Sequence, residues 1–109
     1  MGSARSRVAA GICGHVTTVA VTADDGFDAQ IATESTCDKI TRFVAPVTAV
    51  NALEEIALRH DATILRSARG DGTGTCPGCV VAAAVYKTMQ AACGLALPAQ
   101  SSIDIITLD

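Results

Sequence analysis

The chain has 109 residues, 8 basic and 11 acidic, for a net charge of −3; half of its residues are apolar and 17% are charged. That balance excludes an intrinsically disordered chain, and the length suits one domain with its own core. The basic residues are scattered from Arg5 to Lys87, without the stripe that nucleic acid requires, and no apolar run approaches the ~20 residues of a membrane span, so neither partner is expected.

Residues 1–7 read as a polar, mobile start, with a single α+β domain over residues 8–109. No apolar segment backs the opening Met-Gly-Ser-Ala-Arg-Ser-Arg, so no signal peptide is expected and the location is read as cytoplasmic. Val16 to Thr22 alternates β-branched residues with others, which predicts a strand. Asp24-Asp25-Gly26 is a turn signal, and Phe27 to Thr33 alternates again. The first third therefore reads as an antiparallel hairpin.

The period then changes. Ser35 or Thr36 can cap a helix from about Cys37 to Phe43. Pro46 can open a second helix, with Val47, Val50, Leu53, Ile56 and Ala57 at helical spacing through about Arg59. Glu54, Glu55 and Arg59 read as its solvated face. Ile64, Leu65 and Ala68 suggest a short further helix, followed by a glycine-rich loop over residues 69–75. Pro77 opens the strongest helix, which runs to about Cys93 and stops at Gly94. Ser102 to Leu108 reads as a last strand. The expected order is ββαααβ, with a helical layer on one face of a small antiparallel sheet.

Five cysteines, an odd number, with no export signal fit a disulfide framework poorly. Their positions point elsewhere. Cys13 lies in Gly11-Ile12-Cys13-Gly14-His15, where glycines let the backbone bend and another body approach. Cys37 sits at a strand-to-helix junction. Cys76-Pro77-Gly78-Cys79 opens the last helix, with Cys76 as its expected N-cap. Exposed N–H groups at helix starts favour an anionic sulfur, the form that binds metal. Cys93, seventeen residues beyond Cys76 in the sequence, lies ~25 Å away if the helix is continuous, so it reads as core and dispensable.

The layout of Cys13-Gly14-His15, Cys37 and Cys76 resembles that of the U-type iron–sulfur scaffold family, in spacing and element order over roughly residues 11–93. That resemblance implies cluster ligands at Cys13, Cys37 and Cys76. His15 stands where that family carries an aspartate, its chaperone-binding motif is missing, and Cys79 is added. These departures argue for a more permanent centre held by up to four thiolates, the usual complement of a [4Fe–4S] or [2Fe–2S] cluster, with [4Fe–4S] the expected one. The chain also resembles a family of small uncharacterised proteins from anaerobic microbes, through Gly11-Ile12-Cys13-Gly14, Ser35-Thr36-Cys37, Cys76-Pro77 and Gly94-Leu95-Ala96-Leu97-Pro98.

The expectation is thus an iron–sulfur protein, a cluster carrier or electron-transfer protein, ligated by Cys13, Cys37, Cys76 and Cys79. Gly14 and Gly78 would admit the cluster to the backbone, and His15 would be a supporting donor or alternative ligand. Zinc is the competing metal. A second alternative is thiol–disulfide exchange by Cys76-Pro77-Gly78-Cys79. Expected partners are a redox or cluster-acceptor protein and, from the high apolar fraction, a second copy in a homodimer. Whether the centre is catalytic is left open by the sequence.

Overall fold

The structure, a computed structural model, describes residues 2–70 and 74–108. Four strands form one antiparallel sheet in the order β1-β2-β3-β4: β1 Gly2–Ala9, β2 Val16–Ala23, β3 Asp28–Ser35 and β4 Ala49–Asn51. The helices are α1 Asp38–Val44, α2 Ala52–Leu58, α3 Thr63–Ala68 and α4 Val81–Ala92, with a short 3-10 turn at Arg59–Asp61. The α+β class with an antiparallel sheet and a helical layer is as expected; the element order is not.

The alternation in β2 and β3 works as the sequence suggests. Val19, Val21 and Ala23 pair with Thr33, Ile31 and Ala29, and most of this set is buried under the helices. The opposite face carries exposed Ala20, Thr22, Gln30 and Glu34. Ile40 and Phe43 of α1, Ile64 of α3, and Val81, Val85 and Met89 of α4 close the core. Burial of this kind stabilises by about 1.5–3 kcal/mol for each large apolar side chain.

Three expectations are corrected. Gly2–Ala9 is not a mobile start; it pairs with β2 along its whole length, from Gly2↔Ala23 to Ala9↔Val16. The segment is polar because only one face of an edge strand is covered. Ala4 and Val8 pack against the core, whereas Arg5 and Arg7 face solvent.

The helix expected from Pro46 starts instead at Ala52. The Asn51 side chain accepts hydrogen bonds from the Leu53 and Glu54 N–H groups at 3.1 and 3.3 Å, making Asn51 the N-cap. Upstream, Ala49–Asn51 joins the edge of β3, and Val47 and Val50 are buried from an extended segment. Pairing with β3 there overrides an apolar spacing that fits a helix equally well.

The last strand is also absent. Ser102–Leu108 forms neither helix nor strand, and every residue from Gly94 to Leu108 is exposed. The α4 stop itself is as read: Gly94 has φ +72°, its N–H donates to the Ala91 carbonyl at 3.2 Å, and the Leu95 N–H donates to Gln90 at 2.9 Å. These are the paired bonds of a Schellman cap. The expected loop over residues 69–75 lies partly outside the described residues, at 71–73.

The direction of α4 sets the ends of the molecule. Thr88 hydrogen-bonds Ser6 at 2.7 Å, and Gly2 lies directly against the Ala92 carbonyl, where a Cβ would collide. α4 therefore runs antiparallel to β1. Its start lies beside the β1–β2 loop, and its end lies beside the β2–β3 turn.

Candidate metal centre

Cys13 occupies the β1–β2 loop. The loop is closed by Ala10 N–H to the His15 carbonyl at 3.2 Å and Gly14 N–H to the Gly11 carbonyl at 3.0 Å. Gly11 and Gly14 have φ of +93° and +74°, a conformation that side chains resist. The two glycines therefore shape this loop, and Ile12 and Cys13 stand exposed at its tip.

The loop is tied to Cys37 through its neighbours. His15 Nδ1 and Thr36 Oγ1 are 2.9 Å apart, and the Thr36 N–H donates to the Val16 carbonyl at 3.4 Å. His15 therefore has its Nδ1 engaged, leaving Nε2 for any other partner. Cys37 is the N-cap residue of α1, with extended backbone and no cap bond from its side chain; its N–H donates to Ser35 Oγ at 3.1 Å. The thiol is half-buried and packs against the core edge.

Cys76 joins the same end through α1. Lys39, two residues beyond Cys37, donates from Nζ to Cys76 Sγ at 3.3 Å. The expected N-cap role of Cys76 is corrected here. α4 begins only at Val81, with Val80 as its cap residue. Cys76-Pro77-Gly78-Cys79 instead forms a turn ahead of the helix, closed by the Cys79 N–H to the Cys76 carbonyl at 3.0 Å. A proline at the second position suits that turn as well as a helix start. The positive partner of Cys76 is thus a lysine side chain, not a helix terminus. Cys76 is exposed, while Cys79 is half-buried against the core. Gly78 has ordinary backbone and open space around it.

Four cysteines from three chain segments therefore share one end of the sheet. Among the described residues, no three Cys, His, Asp or Glu side chains are gathered closely enough to hold a metal ion. The donor chemistry suits a thiophilic metal; the segments carrying the donors do not form a closed cage.

Cys93 lies at the other end, just past α4. Burial first, and the Asp24 carboxylate second, push its thiol above the ordinary range. Asp24 organises that end by accepting from the N–H groups of Gly26 and Asp28 at 2.9 and 3.0 Å. The acidic tip of the hairpin is thus a turn former. Glu55, read from sequence as solvated, is 3% exposed. Its two carboxylate oxygens accept from Thr63 N–H at 3.1 Å and Ile64 N–H at 2.8 Å. It caps α3 from a distance, because Ala62 at the cap position has no side-chain acceptor.

Sequence reasoning did not single out Lys39, and it placed Glu55 on a solvated face. Lys39 follows Cys37 by two residues, but only the folded position of Cys76 gives it a role. Helical spacing places Glu55 one residue from Glu54, and nothing in the sequence separates the buried carboxylate from the exposed one.

The fold is a small α+β domain with four of its five cysteines toward one end of an antiparallel sheet. The chain belongs to a family of unknown function, DUF6951, whose model matches residues 4–105. Comparison with curated proteins and with solved structures gives no match.

Proposed function

We propose that the protein is a cysteine-ligated metal protein, with an iron–sulfur cluster held by Cys13, Cys37, Cys76 and Cys79 as a cluster carrier or electron-transfer centre. The observation that supports it is that four of the five cysteines, from three segments far apart in sequence, lie toward the same end of the domain. A core role for these thiols would not require Cys13 and Cys76 to be exposed. The cluster would supply one-electron chemistry. The chain would supply the thiolates, and Lys39 a positive partner for the Cys76 sulfur. Because the thiols form no closed cage, metal binding and closure of the Cys13 loop and the Cys76–Cys79 turn are coupled. His15, with Nδ1 held by Thr36, serves as an outer donor or a substitute ligand through Nε2.

A second reading, thiol–disulfide exchange, is favoured by the Lys39–Cys76 contact. The exposed Cys76 sulfur, in contact with the Lys39 ammonium, would attack a disulfide of a partner protein as its thiolate. The resulting mixed disulfide would be resolved by the Cys79 thiolate, which leaves the Cys76–Cys79 disulfide and a reduced partner.

Anaerobic purification followed by iron, zinc and acid-labile sulfide analysis, with visible and EPR spectra, separates these readings. Iron and sulfide together support the cluster. Zinc without sulfide replaces it with a zinc site. Neither metal, together with a reversible Cys76–Cys79 disulfide, replaces it with the exchange reading.

A further inference from the structure

The chain beyond α4 has the pattern of a strand but no strand to pair with. Ile103, Ile105, Ile106 and Leu108 are 70–91% exposed, and Ser102–Leu108 makes no ladder with the sheet of its own molecule. The family model reaches into this segment, as far as residue 105. Meanwhile β1 lies at an edge of the sheet, paired only to β2. A long edge strand without proline offers its outer N–H and C=O groups to another chain.

We propose that Ser102–Leu108 of one copy adds as a fifth strand to the β1 edge of a second copy, and that the exchange is reciprocal. Length selects β1 over the other edge: the tail segment has seven residues, β1 has eight and β4 only three. Charge selects the face. Arg5 and Arg7 point to the outer side of β1, and Asp104 is the only acidic residue between Ser102 and Leu108. With Asp104 on the arginine side, Ile106 and Leu108 fall on that side too, where the arginine stems can cover them. Ile103 and Ile105 then fall on the side that α4 covers, beside Ala4 and Val8. Each copy holds one tail and one β1 edge, so the reciprocal exchange closes a two-fold dimer in which both β1 edges are paired. The pairing is independent of the metal reading, since the tail and the cysteines are separate.

Sedimentation equilibrium of the full chain and of three variants tests this, alongside hydrogen exchange of the tail amides. The wild-type chain should dimerise and protect the amides of residues 103–107. Ile105→Pro combined with Ile106→Pro removes a ladder N–H from the tail in either register and should give a monomer with unchanged far-UV circular dichroism. Asp104→Arg should weaken the dimer by about ten-fold through two lost cross-strand charge pairs. Adding Arg5→Glu and Arg7→Glu to Asp104→Arg should restore it. A wild-type monomer at millimolar concentration overturns the proposal, whether its tail amides are exposed or are protected against its own β1. A dimer unaffected by the double variant Ile105→Pro with Ile106→Pro does the same.

Discussion

The two ends of the sheet use polar side chains in opposite ways. Around the β2–β3 turn, Asp24 accepts from two N–H groups of its own turn, and Asn51 caps α2 while bonding to Asp28. Glu55, buried beside the cleft that Asp24 and Asp28 line, caps α3. Each acceptor there satisfies a donor that folding would otherwise strand. Around the β1–β2 loop, Cys13 and Cys76 are exposed, and Cys37 occupies a cap position without capping. Asn or Ser at that cap would typically stabilise α1 by about 1 kcal/mol. The first end is built for stability. The second leaves these thiols outside such roles, as residues kept for something other than the fold would be.

Breaking the structural end should have the largest effect on stability. Glu55→Ala strands two N–H groups at the start of α3 and removes a charged acceptor, with an expected loss of about 3 kcal/mol. In urea unfolding this should move the midpoint with an unchanged slope. Glu55→Gln keeps an acceptor and should lose less. Next comes Asp24→Ala, which removes two turn bonds in an exposed setting, for about 1 kcal/mol by the same measurement.

Cys93 sharpens the contrast through pH. Its thiol is held above the ordinary range, so the folded protein keeps that proton where the unfolded chain has begun to lose it. Its contribution to stability is therefore complete below the unfolded thiol pKa and lost as pH rises through the folded value. Thermal unfolding between neutral and alkaline pH should fall less steeply in Cys93→Ala than in the wild-type chain. The smallest change is expected at the thiol end. Cys13→Ser and Cys76→Ser in the metal-free protein should each move stability by less than about 0.5 kcal/mol, since both side chains are exposed.

Much of this was legible in the sequence where local chemistry and packing agree. The alternation of Val19, Val21, Ala29 and Ile31 and the stop at Gly94 each follow from one short pattern that the fold respects. Legibility failed where the deciding partner is distant. Gly2–Ala9 looks like a polar leader until β2 is beside it. Val47 and Val50 fit a helix until β3 takes their segment. Ser102–Leu108 has strand chemistry, and within one chain it has no partner. At the site, the cysteine positions could be read from spacing and flanking glycines. The partners that tie them together, Thr36 on His15 and Lys39 on Cys76, belong to the fold and not to any motif.

The central claim is that Cys13, Cys37, Cys76 and Cys79 act as one group from which Cys93 is excluded. Iron and sulfide content of the five single Cys→Ser variants, purified anaerobically, tests it most directly. The account expects loss of the cluster in Cys13→Ser, Cys37→Ser and Cys76→Ser, loss or weakening in Cys79→Ser, and full retention in Cys93→Ser. A cluster that survives Cys13→Ser and Cys37→Ser, or that disappears in a stably folded Cys93→Ser, would contradict it.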